Sequence, residues 1–168
     1  INLPAKDKMT APRYQAIQGT DIPVINLPEQ QGHLRIIAGE YQGQHGPAAT
    51  FTPINVWDGA LLQDAQYVVN VPTDHTTLLV LLEGELLINQ SQKVIASSVV
   101  LFERNQDTDI ELLATANSRF VLLTGEPLNE PIQGYGPFVM NTEQEIIQAF
   151  DDFKQGKFGQ LKVAEKVN

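Results

Sequence analysis

The 168-residue chain contains no cysteine, so neither a disulfide framework nor a thiolate metal site or nucleophile is open to it. This fits a reducing compartment, and the cytoplasm is the expected location. Basic charge is scarce: 11 lysines and arginines stand against 20 aspartates and glutamates, a net charge of −9. A field of that sign repels polyanions, which argues against direct nucleic-acid binding. The basic residues that do gather, Lys6, Lys8 and Arg13 and then Lys154, Lys157, Lys162 and Lys166, read as solvated charges near the ends. Long apolar runs are missing as well. The longest, Leu78 to Leu82, is far short of the ~20 residues a membrane-spanning helix needs, and no basic stretch followed by an apolar one opens the chain. No membrane association is expected. The first residue is Ile1, not methionine, and the expectation is that something preceded it, removed by proteolysis or by design.

Metal-ligating and recognition residues are few. His33, His45 and His75 lie far apart, and none has a second histidine or a carboxylate at a ligand spacing such as HxH or HxxxE. A metal site needs three or four converging N/O ligands, so turn or surface positions are the ordinary reading of these histidines. There is no GxSxG elbow and no phosphate-cradling glycine loop. Glu83 and Glu85 flank Gly84; carboxylates two apart on a strand share a face, and a solvated edge is a simpler meaning than an acid–base pair. The rival arrangement, a metal held by His45 or His75 together with Glu83 or Glu85, stays open. Trp57, Phe51 and Tyr67 are either pocket-lining or core residues, core being the commoner place for aromatic residues on strands.

The length fits one domain. Residues 1–31 carry four prolines and no sustained apolar period, so they read as a linker or extended arm, with the folded unit over 32–168. From there short, β-branched segments recur: LRIIAG at 34–39, TFTPINVW at 50–57, QYVVNV at 66–71, TLLVLL at 77–82 and ELLIN at 85–89. They continue with KVIA at 93–96, SVVLF at 98–102, DIELLA at 109–114 and RFVLLTG at 119–125. Turn signals at Asn89-Gln90-Ser91, Asn105-Gln106-Asp107 and Ala116-Asn117-Ser118 give the spacing of hairpins, and many short strands with polar turns mean a sandwich or barrel. One helix follows, over about 143–155. Thr142 and Glu145 form a capping box; Ile146, Ala149, Phe150 and Phe153 make one stripe; Gly156 is placed to end it. The stripe is expected to dock on a barrel face. Before the helix stands GEPLNEPIQGYGPFVMNT at 125–142, whose prolines and glycines suit neither ladder nor helix. Connections of this length are usually functional or disordered.

That stretch, followed by EQEIIQAFDDFKQGKFG, resembles the C-terminal end of the pirin family, cupin-superfamily proteins built from two consecutive jelly-roll barrels. INLPAKDKMTAPRYQ is similar to the family's inter-domain segment, and IIAGEYQGQHGPAATFTP to the opening of its second barrel. The resemblance implies a mainly β, cupin-like jelly roll with one C-terminal amphipathic helix, preceded by a linker, with the N-terminal barrel missing. In the family three histidines and a glutamate of that first barrel hold the metal, usually iron, so this chain is expected to have no catalytic residue, metal ligand or cofactor of its own. Cupin metal motifs laid on the second barrel put Val71 and Thr73 at the histidine positions, Thr77 at the glutamate and Gly84 at the glycine. The second motif falls on Ala96, Phe102, Arg104, Asp107 and Glu111. Apart from Gly84, which sets the alignment, every position departs from the pattern, and the barrel interior is expected to be filled by side chains.

By the same resemblance the chain is a non-catalytic domain that stabilises the metal-bearing barrel and offers a protein-interaction surface, its partners being the N-terminal domain and a regulatory protein or metabolic enzyme. The alternative is a part of a quercetin 2,3-dioxygenase-type oxidoreductase whose active site lies in the first barrel. Domain docking or recognition is assigned to Glu126, Glu130, Pro131, Gly136, Pro137, Phe138, Met140 and Asn141. An arm left without its neighbour would favour self-association.

Overall fold

A computed structural model describes residues 2–11, 13–104 and 108–159. Ile1, the turn at Asn105-Gln106-Asp107, Lys162 and Lys166 lie outside the described residues. The chain divides into two compact units: Ala11–Pro127, and the described parts of Ile1–Thr10 with Leu128–Asn168.

Among its described residues the first unit has twelve strands: β1 (Val24–Asn26), β2 (Gly32–Ala38), β3 (Glu40–Tyr41), β4 (Gln44–His45), β5 (Ile54–Leu61), β6 (Gln66–Asn70), β7 (Thr76–Glu83), β8 (Glu85–Ile88), β9 (Gln92–Ile95), β10 (Ser98–Leu101), β11 (Asp109–Ala114) and β12 (Ser118–Gly125). One sheet runs β1-β2-β5-β12-β7-β10 and a second β6-β11-β8-β9, with β3 and β4 a separate hairpin. The strand spacing suggested local hairpins; the structure instead nests the pairs. β8 meets β9, β7 meets β10, β6 meets β11 and β5 meets β12, all antiparallel. A single long hairpin has been rolled over so that its successive rungs fall in alternate sheets, which is the jelly roll expected. Its tip is Asn89 and Gln90, at φ 47° and 55°. The turn at 116–118 is no hairpin but a crossing between sheets, held where Asn117 Oδ1 accepts the Gln63 N–H at 2.8 Å and Ser118 Oγ donates to the Glu85 carbonyl at 3.1 Å.

Alternation along the strands decides what fills the space between the sheets. Leu34, Ile36, Trp57, Leu79, Leu81, Phe120 and Leu122 come from one sheet, and Val69, Leu86, Ile88, Ile110 and Leu112 from the other. Trp57 is a core residue, 1% exposed, its ring 4.6 Å from that of Tyr41. Gly59 sits opposite Phe120, where a Cβ would come within 2.2 Å of the ring, so the missing side chain makes room for the phenyl group. Phe51 is exposed beneath the Arg13 guanidinium, 5.0 Å from its ring centre, and Tyr67 bonds the Tyr41 hydroxyl at 3.0 Å.

In the second unit, residues 125–142 are not wholly irregular as expected. β13 (Gln133–Tyr135) pairs with β14 (Phe138–Met140). Gly136, at φ 56°, takes the first turn position that two-residue hairpins reserve for positive φ, and the ring-fixed φ of Pro137 suits the second. Pro127 and Pro131 stand upstream of the ladder. Helix α1 spans Glu143–Lys154, opened by the expected capping box, with Ile146 and Ala149 buried. The stripe expected to dock on a barrel face has its aromatic partners in this unit: Phe150 lies 4.9 Å from Phe138 and 5.7 Å from Tyr135, centre to centre. Among the described residues no helix is long and apolar enough to cross a membrane. The segment read as an arm contributes to both units, through the 3-10 turn Ala5–Asp7 and through strand β1.

Candidate functional site

The jelly roll opens at one end into a cleft of about 640 Å³. Its lining comes from the end of β6 and the following loop, the start of β7, the β8–β9 turn, the residues after β10 and the start of β11. Val71, Phe102 and Ile110 supply apolar surface, while Asp74, His75, Glu103, Arg104, Asp109 and Glu111 supply charge and hydrogen-bonding groups. Polar and charged groups dominate this lining, whereas small-molecule pockets are lined mainly by apolar side chains. Several of these groups are engaged: Asp109 Oδ1 accepts Asn70 Nδ2 at 2.6 Å, and Glu111 Oε2 accepts Gln90 Nε2 at 2.7 Å.

His75 is the most constrained of them. Buried Asn55 accepts the Glu40 N–H at 3.1 Å through Oδ1 and donates Nδ2 to Thr124 Oγ1 at 2.8 Å. With its lone pair so used, the Thr124 hydroxyl has its proton free for His75 Nδ1, 3.1 Å away. Donation of that proton would favour a neutral imidazole protonated on Nε2, while the hydroxyl's second lone pair could instead accept from Nδ1–H. Burial pushes the His75 pKa below its ordinary value, opposed by the Glu126 carboxylate.

The other candidate ligands are dispersed. His33 lies on β2, and His45 on β4 has its Nδ1 3.8 Å from Glu40. Glu83 bonds Arg119 at 3.2 Å; Glu85 bonds Lys93 at 3.0 Å and accepts Thr115 Oγ1 at 2.6 Å, and these partners, Thr115 first, hold its carboxyl below the usual range. The structure thus brings neither glutamate to His45 or His75. Among the described residues no group of three or more His, Asp or Glu side chains is placed to hold a metal ion. At the positions cupins use for ligands, Val71 and Thr77 are buried, at 9% and 3% exposure. Neither side chain offers the imidazole or carboxylate that a cupin metal needs, so these residues do not fit one.

Of the eight residues assigned to docking, Glu126 belongs to the first unit, where its N–H bonds the Pro53 carbonyl at 3.0 Å. The other seven belong to the second, and three of them meet. Glu130 Oε2 accepts the Ala5 N–H at 2.8 Å and Asn141 Nδ2 at 3.0 Å, and Asn141 Nδ2 also reaches the Pro131 carbonyl at 3.0 Å. Asn141 Oδ1 is buried without a partner. Phe138 stacks at 5.8 Å on Phe158, Met140 pairs with Gln133, and Gly136 and Pro137 form the turn. Glu145 Oε2 accepts the Asn141 and Thr142 N–H groups at 3.0 and 2.8 Å; the Thr142 hydroxyl, these amides and Lys8 hold its carboxyl below the usual range. The cleft residues Asp74, Glu103 and Asp109 were missed from sequence because only the nested pairing brings residues 71–77, 102–104 and 108–111 together.

Residues 56–159 match the family model for the pirin C-terminal cupin domain. The chain is 44% identical over 158 residues to a Pseudomonas aeruginosa protein named "Putative quercetin 2,3-dioxygenase", covering 94% of this chain and 54% of that protein. It is 38% identical over 168 residues to Pirin-like protein 2 of Arabidopsis thaliana, at 95% and 51% coverage. The crystal structure of a quercetin 2,3-dioxygenase from Acinetobacter baumannii superposes with a TM-score of 0.90 at 48% identity, over 96% of this chain and 56% of that one. The chain therefore spans about half the length of the curated relatives it matches. The rolled hairpin, the glycine- and proline-rich segment leading into a single capped helix, and the match over most of the barrel agree: the chain belongs to the pirin family and carries its C-terminal cupin domain.

Proposed function

We propose that this chain is the non-catalytic barrel of a two-barrel protein, supporting a metal-bearing cupin domain and presenting a protein-interaction surface. The observation that carries this is the ligand set: of the cupin motif positions that line the cleft, Val71, Thr77, Phe102, Arg104 and Glu111, Glu111 alone carries a group that could ligate a metal. Iron or another divalent metal would then sit in the other barrel. A regulatory protein or metabolic enzyme in the cytoplasm would meet the 126–141 segment, with Glu130, Asn141 and the turn at Gly136 and Pro137 giving it a fixed shape.

The second reading is that the whole protein is an oxidoreductase acting on quercetin-like substrates, with the reacting centre in the other barrel. It is favoured by the names of the Pseudomonas and Acinetobacter relatives. In both readings this chain alone neither retains metal nor consumes dioxygen. Elemental analysis after incubation with Fe(II), Ni(II) or Zn(II) and removal of free ion tests it. Stoichiometric metal that disappears in His75→Ala would overturn the proposal. Dioxygen uptake with quercetin by the two-barrel protein separates oxygenase from regulator.

A further inference from the structure

The outward face of the four-stranded sheet carries an oblique apolar stripe. Cross-strand register sets Leu113 beside Leu87, with Val68 one row to one side on β6 and Ile95 one row to the other on β9, because Val68 pairs with Glu111 and Ile95 with Glu85. The alternation that buries Val69, Leu112, Ile88 and Val94 turns these four outward, and at the two ends Val68 and Ile95 are 44% and 60% exposed. The same face is grooved. A recess of about 740 Å³ lies over β6, β11 and β8, where Val68, Leu87 and Leu113 stand among Gln66, Gln90 and Glu111. Glu111 and Glu85 flank the stripe on opposite sides, Glu111 accepting Gln90 Nε2 at 2.7 Å and Glu85 bonded to Lys93 at 3.0 Å. An apolar centre with a polar rim is the anatomy of an interface.

We infer that this stripe receives a basic amphipathic helix of a protein partner. The inference rests on the reading above that the chain presents a protein-interaction surface, and it places that surface on the four-stranded sheet in place of the 126–141 segment. Geometry sets the shape of the occupant. With strands about 4.8 Å apart and a rise of about 3.4 Å per residue, the stripe runs about 20 Å from Val68 to Ile95. A helix of about four turns has that length, and apolar side chains at i, i+3, i+4 and i+7 give it the matching edge. Charge sets the sign. Among the described residues of these strands the outward carboxylates are Glu85, Asp109 and Glu111, against one cation, Lys93. The chain as a whole carries −9, so a second copy or a nucleic acid would bring like charge to this face. Lysines beside the apolar edge of a helix would instead meet the two flanking glutamates.

The probe is a synthetic peptide of leucine, lysine and alanine, about 18 residues long, with its leucines at the i, i+3, i+4 and i+7 positions. A scrambled peptide of equal composition is the control. The isotope-labelled chain is titrated with each, and its amide NMR shifts are followed. Docking on the stripe moves amides of β6, β11, β8 and β9 with the amphipathic peptide alone, and Val68→Thr combined with Ile95→Thr weakens that binding by about fivefold or more. Threonine keeps the β-branched shape at both exposed positions, and an unchanged spectrum of the free variant checks that it folds. Shifts confined to residues 126–141, or binding that the paired substitution leaves unchanged, would overturn the inference and leave the protein-interaction reading in place. Equal shifts with the scrambled peptide would reduce the contact to unspecific charge attraction and overturn it. No shift with either peptide would overturn it as well, leaving the non-catalytic reading to the metal analysis.

Discussion

Thr124 illustrates how much one buried hydroxyl can fix. It accepts from Asn55 and lies 3.1 Å from His75 Nδ1, where donation of its proton would hold the ring neutral in one tautomer. Nitrogen chemical shifts of His75 should report the Nε2–H form at neutral pH, and Thr124→Val should release that preference. The same substitution leaves Asn55 Nδ2 unpartnered in a buried place, with an expected loss of about 1–3 kcal/mol in denaturant titration. Gly59 poses the opposite problem, since any side chain there meets the Phe120 ring. Gly59→Ala should cost about 1–3 kcal/mol by overpacking, and part of that should return when Phe120→Leu is added, a coupling measurable in a double-mutant cycle. Neither constraint is written in the sequence. Asn55, Thr124 and His75 are 69 and 49 residues apart in their bonded pairs, and nothing local marks them as partners.

At the level of single elements the sequence was most legible where the signal is local. The capping box of α1 stands as read, because Thr142 and Glu145 need only each other. Thr142→Ala should lower the thermal stability of this helix by about 1 kcal/mol. The depressed Glu145 carboxyl adds a pH dependence. Its stabilisation is fully present above the unfolded value of about 4.3 and is lost as pH falls through the lower native value. Glu145→Gln should flatten the acid limb of the helix melting curve; an unchanged limb would exclude that role. Strands β5 to β12 were likewise placed to within a few residues by their β-branched runs. β1, β3, β4 and the β13–β14 hairpin were not, since each has only two or three residues and contains or adjoins residues that break ladders elsewhere.

For the molecule as a whole, the contrast between the units predicts a hierarchy of opening. The barrel has fully buried Trp57, Phe120 and a shell of leucines, whereas the helix of the second unit buries only Ile146, Ala149 and Asp152. Amide hydrogens of α1 should exchange at lower opening free energy than those of β5 and β12, as native-state exchange would show. At the positions where the cupin metal motifs fall, the sequence carries valine and threonine, which a local reading can see without the fold.

The rolled hairpin also governs how the chain reaches this state. Its innermost rung joins Ile88 to Gln92, whereas its outermost joins Ile54 to Gly125, so closure near the tip costs little chain entropy and each outer rung shortens the loop left to close. The barrel should therefore form from the 89–91 turn outward, with β2 and β1, which join the sheet beyond β5, closing it last.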